Sequence, residues 1–548
     1  MTNFTQSPCD RGVISSAPRT VSRRSVSGLW VLVATILGSS MAFIDSSVVN
    51  VALPVLQENL NATSADVQWV VEAYLLLLAS LVLLGGTLGD HFGRRRIFAT
   101  GIAIFSLASV WCGLSPTIGS LILARAVQGV GAALLVPGSL AIISASFSPD
   151  RRGRAIGTWS GFTSITSAIG PIVGGALVQY ASWRWVFFLN VPLAVIILVI
   201  LFWHVPESRD ETAQGGLDWA GALLATIGLG AIVYGLIEAG ALSFLHPLVL
   251  SSLAIGVVTF AAFLLLEARL PNPMLPLSLF RSSTFSGTNL LTLLLYAAQG
   301  GIMFFFPFNL IQVQGYPPTL AAIAFLPYVL IMFSLSRWTG GLVDRYGAKL
   351  PLIVGPVIAA IGLALFAIPD IGGSYWVTFF PAVLVMGLGM TITVAPLTTA
   401  VMGSVEERHA GIASGINNAV ARTAGLLAIA VLGIVVVTAF QGNLTYQLAQ
   451  LSLPASVERV IAMQGHKLAA IQIPTSVSNG MHAQLKHAID EAFVASFRLV
   501  ALICSGLALL SACCSWFMIG GGKSRYADSA TETEGALAEQ TRSSKKVQ

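Results

Sequence analysis

The sequence predicts an all-α polytopic membrane protein, and three observations carry that prediction. Of 548 residues, 55% are hydrophobic and only 10% are charged, with a mean hydropathy of +0.81; soluble domains carry about a quarter charged residues. Fourteen apolar segments have the length of a membrane crossing: 29–56, 67–89, 97–115, 119–147, 155–180, 184–203, 218–239, 246–267, 285–312, 319–338, 350–369, 374–402, 410–437 and 493–520. A helix needs about 20 such residues to span the hydrocarbon core. Lysine and arginine gather in alternate short loops. The segments are continuously apolar and do not alternate with period two, which excludes a closed β-barrel.

Orientation follows from the basic loops. Arg11, Arg19, Arg23 and Arg24 precede the first segment, and Arg94, Arg95 and Arg96 follow the second. Arg151, Arg152 and Arg154 follow the fourth, Arg269 and Arg281 the eighth, and Arg345 and Lys349 the tenth. Lys523, Arg525, Arg542, Lys545 and Lys546 follow the last. Arg184 is the main exception on the other side. Both termini are therefore expected in the cytoplasm. The first apolar run has no cleavage pattern and is too long for a signal peptide. The formal charge of +5 is small for this length and gives no support for a nucleic-acid partner. Cys9, Cys112, Cys504, Cys513 and Cys514 read as small apolar fillers, and the scattered His466, His482 and His487 read as surface residues; no metal site is expected.

A short charged loop organises the chain. It reads Gly86-Thr87-Leu88-Gly89-Asp90-His91-Phe92-Gly93-Arg94-Arg95-Arg96. It has a counterpart in Gly340-Gly341-Leu342-Val343-Asp344-Arg345-Tyr346-Gly347. A constant offset of 254 relates Gly86 to Gly340, Asp90 to Asp344 and Gly93 to Gly347, and again Gly157 to Gly411 and Gly161 to Gly415. One offset across separate regions indicates a duplicated unit of six helices, with segments 7 and 8 inserted between the copies. The expected organisation is a cytoplasmic tail at 1–27, a bundle at 28–203, an inserted pair with linkers at 204–283, a second bundle at 284–520 with an external loop at 440–492, and a cytoplasmic tail at 521–548. Two like bundles suit alternating access around a site near mid-membrane.

The charged loop resembles the cytoplasmic signature of the major facilitator superfamily. Fourteen helices with an inserted pair resemble its drug:proton antiporter-2 branch, the EmrB/QacA-like exporters. Three further stretches are similar to that branch: Asp45-Ser46-Ser47-Val48-Val49-Asn50-Val51-Ala52-Leu53-Pro54; Arg125-Ala126-Val127-Gln128-Gly129-Val130-Gly131; and Gly170-Pro171-Ile172-Val173-Gly174-Gly175, followed by Trp183–Pro192. The resemblance covers residues 28 to 520. It implies a proton-coupled exporter of amphipathic drugs, with no cofactor beyond the proton. The expected surroundings are the lipid bilayer and a small amphipathic substrate, with a periplasmic adaptor protein as a candidate partner and a monomer as the expected state. A carrier for a specific metabolite, siderophore or lipid is the alternative, and a transport-inactive sensor or assembly subunit the alternative of another class. No nucleophile elbow, Walker loop or metal constellation is present in the sequence, so an enzyme is not expected and an ion gradient is the expected driving force.

Ionisable groups inside membrane helices are costly and mark functional positions. Asp45 lies well inside segment 1, where loss of water disfavours the charged form and allows proton uptake and release. Glu72 and Arg125 lie at similar depth in segments 2 and 4, so an ion pair between them is geometrically open; a plain interfacial Glu72 is equally compatible. The resemblance implies that Arg125 tunes a neighbouring carboxylate. Gln299, the repeat-equivalent of Asp45, Gln312 and Arg422 are candidates for the cavity wall, Arg422 also for positioning neighbouring helices. Phe304, Phe305, Phe306 and Phe308 offer either a ligand surface or a lipid-facing one. Glu238 and Glu267, at segment ends, read as interfacial. No acid lies deep in segments 9–14, which speaks against dicationic substrates. Gly170, Pro171, Gly174 and Gly175 form a small, kink-prone face for helix packing; the resemblance implies that it seals the resting carrier against leak, with Thr166 in place of a usual glycine. The loop residues Gly86, Asp90, Gly93, Arg94, Arg95, Gly340, Asp344 and Gly347 are expected to form a conformational latch. Asp90 would meet the positive end of segment 13 near Gly411, and Arg94 and Arg95 would pair with acids of the same face.

Overall fold

The computed structural model describes residues 26–147, 149–209, 217–271, 273–405, 410–451, 453–474 and 477–520, and all its regular elements among these residues are helical. The first half comprises α1 (Val26–Asn59), α2 (Ser64–Phe92), α3 (Arg94–Leu114), α4 (Ile118–Ser146), α5 (Pro149–Tyr180) and α6 (Asn190–His204). The inserted pair is α7 (Trp219–Leu242) and α8 (Pro247–Glu267). The second half comprises α9 (Ser283–Phe308), α10 (Leu326–Tyr346), α11 (Lys349–Leu365), α12 (Phe380–Gly403), α13 (Ala410–Ala449) and α14 (Asn479–Met518). Among the described residues twelve helices are long and apolar enough to cross a membrane; Ile169–Tyr180 and Lys349–Leu365 are shorter apolar helices.

Local sequence sets the helix ends. Thr63 and Asp66 form a capping box that starts α2, each side chain satisfying a backbone N–H that the first turn leaves free. Thr117, Asp218, Ser282 and Ser478 cap α4, α7, α9 and α14. Arg184, the basic residue on the wrong side of the charge pattern, donates to the Gly113 and Ser115 carbonyls at 3.0 and 2.7 Å. It closes the end of α3, which accounts for a cation there.

In the first half α2 and α3 pack on α4, and α1 packs on α5. In the second, α11 packs on α12 and α14, α10 on α12, and α9 on α13 and α14. The halves meet along α2 with α13, α1 with α9, and α5 with α10 and the short helix Pro318–Ile323. The inserted helix α7 packs on α8 and also against both α2 and α13. Phe304, Phe305, Phe306 and Phe308 are buried. Phe306 stacks among Phe325, Phe366, Phe379 and Phe497. They form neither a ligand surface nor a lipid-facing one: a repeated aromatic run fills the centre of the second bundle.

The expected external loop at 440–492 is mostly helix. α13 runs on to Ala449 and α14 begins at Asn479. These extensions are amphipathic, so a search for continuous apolarity misses them. Leu444 and Leu448 face inward from one, and Leu485, Ala488 and Ile489 from the other. Gln447 donates to Glu491 at 2.7 Å and ties them together.

At the end of the molecule opposite the Gly86–Arg96 loop, the halves are joined by side chains. Gln312 donates to Gln57 at 3.1 Å, and Gln57 to the Lys467 carbonyl at 3.2 Å. Lys467 reaches Asn61 at 2.5 Å, and Lys486 bonds the Gln312 carbonyl at 2.9 Å and Asp490 at 2.6 Å. Gln312 thus belongs to a seam at one end, not to a mid-membrane wall. Its place late in segment 9 is the physical reason.

Candidate coupling site

The first half concentrates its buried charge at one point. α1 carries Asp45 and α4 carries Arg125, each 1% exposed. An Arg125 Nη donates to Asp45 Oδ2 at 2.6 Å. Gln128, one turn along α4 and so on the same face, accepts from that Nη at 2.7 Å and donates to Asp45 Oδ1 at 2.8 Å. Asn190, at the start of α6, donates to the same oxygen at 3.1 Å. Ser109 of α3 accepts from Gln128 and Asn190 at 2.8 and 3.2 Å. Arg125 Nε donates to the Val70 carbonyl of α2 at 3.0 Å, and its guanidinium lies 4.3 Å from the centre of the Tyr74 ring. Five helices therefore fix one carboxylate. A buried ion pair repays its desolvation only when its remaining polar atoms are also bonded; both Asp45 oxygens are bonded here, while Asn190 Oδ1 is left without a partner.

Glu72 stands apart. The pair with Arg125 that similar depth leaves open is not formed, because Asp45 occupies Arg125 from the other side. Glu72 is fully buried, and neither carboxyl oxygen has a hydrogen-bond partner. Its helix face is set by Gln68 one turn before, which meets α13 at Gly433, and by Leu76 one turn after, which packs on α7 and α13. In the second half, Gln299 donates to the Tyr328 hydroxyl at 2.6 Å. Asn417 of α13 donates to Asn289 and Thr292 of α9 at 3.2 and 2.7 Å. Glu267, expected at an interface, is buried and accepts from the Leu275 amide at 3.0 Å.

The small-residue motif of α5 admits two neighbours. A Cβ on Gly170 would collide with Ser47 Oγ, and one on Gly174 would lie 2.6 Å from Val48, both on α1. One on Gly175 would lie 2.7 Å from the Pro318 carbonyl in the other half. Thr166, the departure from glycine, donates to Ser40 of α1 at 3.0 Å. In the charged loop, Arg94 binds Asp90 at 2.7 Å. Glu207 accepts from the Arg95 amide at 2.9 Å and lies 3.7 and 3.6 Å from the side chains of Arg95 and Arg96. Gly93 has φ +108°, a backbone open to glycine, and the Glu207 carboxylate fills the place of its Cβ at 2.8 Å. Gly347, its repeat partner, has φ +71°. The expected contact of Asp90 with the start of segment 13 near Gly411 falls outside the described residues, as do the surroundings of Gly340 and Asp344. Gly86 has room for a Cβ, 3.7 Å from Pro137.

The sequence profile of the Major Facilitator Superfamily matches residues 35–429. The chain belongs to the major facilitator superfamily. The tetracenomycin C resistance and export protein of Streptomyces glaucescens is 32% identical over 509 residues, covering 91% of this chain and 94% of that one. The multidrug resistance protein Stp of Mycobacterium tuberculosis (strain CDC 1551 / Oshkosh) is 34% identical, covering 82% of each. A crystal structure of a bacterial homolog of the human lysosomal transporter Spinster, inward-facing and occupied, superposes with a TM-score of 0.65 at 17% identity, covering 90% of this chain and 97% of that one. This superfamily member is a multi-pass integral membrane protein.

Depth in the membrane marks Asp45 and Arg125 in the sequence but not the groups that hold them. Gln128 and Asn190 sat inside the quoted superfamily stretches, and their spacing to Arg125 and Trp183–Pro192 was the available signal. Ser109, Tyr74 and Glu207 carried no such signal; only the fold brings them to the site.

Proposed function

We propose that this chain is a proton-coupled exporter of amphipathic drugs working by alternating access. The observation that carries the reading is the Asp45–Arg125–Gln128–Asn190 network inside a chain whose relatives are named for antibiotic resistance. The fourteen helices cross the plasma membrane with both termini cytoplasmic, consistent with the basic loops. The seam of Gln57, Gln312 and Lys467 then faces outward, and the carrier loads from the cytoplasm. Protonation of Asp45 opens the Asp45–Arg125 contact, drug arrival restores it and displaces the proton, and the two bundles rock about α2–α13 and α1–α9. Only differential contacts in the two states can supply such coupling. Expression in an efflux-deficient bacterium tests it: a compound panel should accumulate less, and a protonophore should abolish the difference. Export that survives the protonophore but stops on ATP depletion would overturn the proposal.

Glu72 serves as a second proton-accepting group, kept at the expense of stability. A buried polar group without a partner costs about 1–3 kcal/mol. Glu72→Leu should therefore raise the thermal unfolding midpoint in detergent while lowering export. A higher midpoint with unchanged export would make Glu72 a plain buried acid.

The charged loop serves as a latch. Asp90 is partly exposed and its pair with Arg94 bridges the Gly93 break between α2 and α3, so it contributes about 0.2–1 kcal/mol to the fold. Asp90→Ala should leave the unfolding midpoint nearly unchanged, lower export, and shift cysteine accessibility toward the inward-open form. Normal export with unchanged accessibility would return the loop to a topological anchor.

A further inference from the structure

Among the described residues, no acid pairs with the guanidinium of Arg422 in the second half. Arg422 lies on the face of α13 that meets α2. A Cβ on Gly415 would touch Leu83 and one on Gly433 would strike Gln68, both on α2, and Arg422 falls on the same stripe two turns beyond Gly415. Its Nε is buried without a partner, and it forms no hydrogen bond or ion pair with any described residue. Its electrostatic neighbour is the Tyr74 hydroxyl across the bundle boundary. The Tyr74 ring in turn lies under Arg125.

The charge balance around this position is positive. Asp45 and Arg125 neutralise each other at 2.6 Å. Glu72, the other deep acid of the first half, makes no ion pair with Arg422; both its oxygens are unbonded. Between residues 283 and 450 the acids are Asp344, Asp370, Glu406 and Glu407, all at or beyond helix ends. An isolated cation inside a membrane protein is expensive unless it faces a cavity, a counter-ion or a ligand. Beside it is open space, where a Cβ on Gly425 of α13 would meet nothing within 4 Å. Gly425 of α13 touches Gly300 of α9, with 3.2 Å to a Cβ placed on Gly300. The two helices run parallel, so Tyr296 and Gln299 of α9 stand at the level of Arg422, and Gln299 is held by Tyr328.

We propose that Arg422 anchors the acidic group of an aromatic substrate at the boundary between the two bundles, so that the carrier selects anionic or acidic aromatic compounds over cations. This rests on the exporter reading and names its substrate class. The anion meets Arg422 from the second bundle, and Tyr74 links that point to Arg125 in the first, so substrate charge is felt at the proton site.

Two dyes built on one xanthene scaffold separate charge from shape: fluorescein, an anion, and rhodamine 6G, a cation. Purified full-length protein should bind fluorescein more tightly than rhodamine 6G. Arg422→Gln should weaken fluorescein binding by at least about tenfold, the loss expected for a charge-assisted hydrogen bond, and should tighten rhodamine 6G binding. Arg422→Lys, which keeps the charge, should retain most fluorescein binding and controls for folding. Equal fluorescein binding by wild type and Arg422→Gln, or wild-type preference for rhodamine 6G, would overturn the proposal. Arg422-dependent fluorescein binding without export of either dye from vesicles would support the site and count against the exporter reading instead.

Discussion

Asp45→Asn should abolish proton-coupled export while leaving a folded protein in the membrane. Asparagine has the shape of aspartate and can still meet Gln128 and Asn190. It cannot carry the charge that holds Arg125 at 2.6 Å, nor exchange a proton. The expected readout is loss of drug resistance to the level of a strain without the carrier, at normal membrane abundance. The cost falls on Arg125, left as an uncompensated buried charge; breaking such a pair destabilises by about 3–5 kcal/mol. A lowered midpoint with lost export is therefore expected together. Asp45→Glu, which keeps the charge but lengthens the side chain inside a five-helix network, should keep the fold and part of the export.

Arg125→Met should be the other severe change. It removes the cation, its bond to the Val70 carbonyl and its stacking on Tyr74 at once. Asp45 keeps Gln128 and Asn190, which bond an anion but do not balance it. The substitution should cost about 3–5 kcal/mol and stop coupled transport. The pair Asp45→Asn with Arg125→Gln distinguishes structure from function. Two neutral polar groups of similar size leave no bare charge, so the double variant should recover much of the midpoint lost by either single one, because residues in contact do not act additively. Export should not recover. Recovery of export with the fold would reduce the ion pair to a structural tie.

Much of this was legible in the sequence because membranes impose strong rules. Continuous apolar runs and alternating basic loops place the helices, since backbone and charge have few ways to be satisfied in lipid. The offset of 254 exposed the paired glycines, and Gly93 and Gly347 do share a positive φ. Asp45 and Arg125 stood out because ionisable residues are rare at such depth. Three things were not legible, each for a physical reason. The helical extensions of α13 and α14 are amphipathic, and their apolar stripes are hidden by intervening polar residues. The identity of Asp45's partner depends on how α1 and α4 rotate about their axes, which depth alone does not fix; Glu72 faces α7 and α13 instead. The second halves of two contacts, Glu207 for the loop and Ser109 for the network, lie far away in sequence and have no motif of their own.

In the proposed cycle the Asp45–Arg125 site exchanges a proton for a drug. Proton release by purified carrier in weakly buffered detergent tests it most directly, using a compound that the efflux-deficient strain shows to be exported. Adding that compound to wild type should displace protons in a saturable, concentration-dependent step, and Asp45→Asn should bind the compound without any proton signal. Equal proton release from both proteins, or saturable binding to wild type without release, would contradict the account.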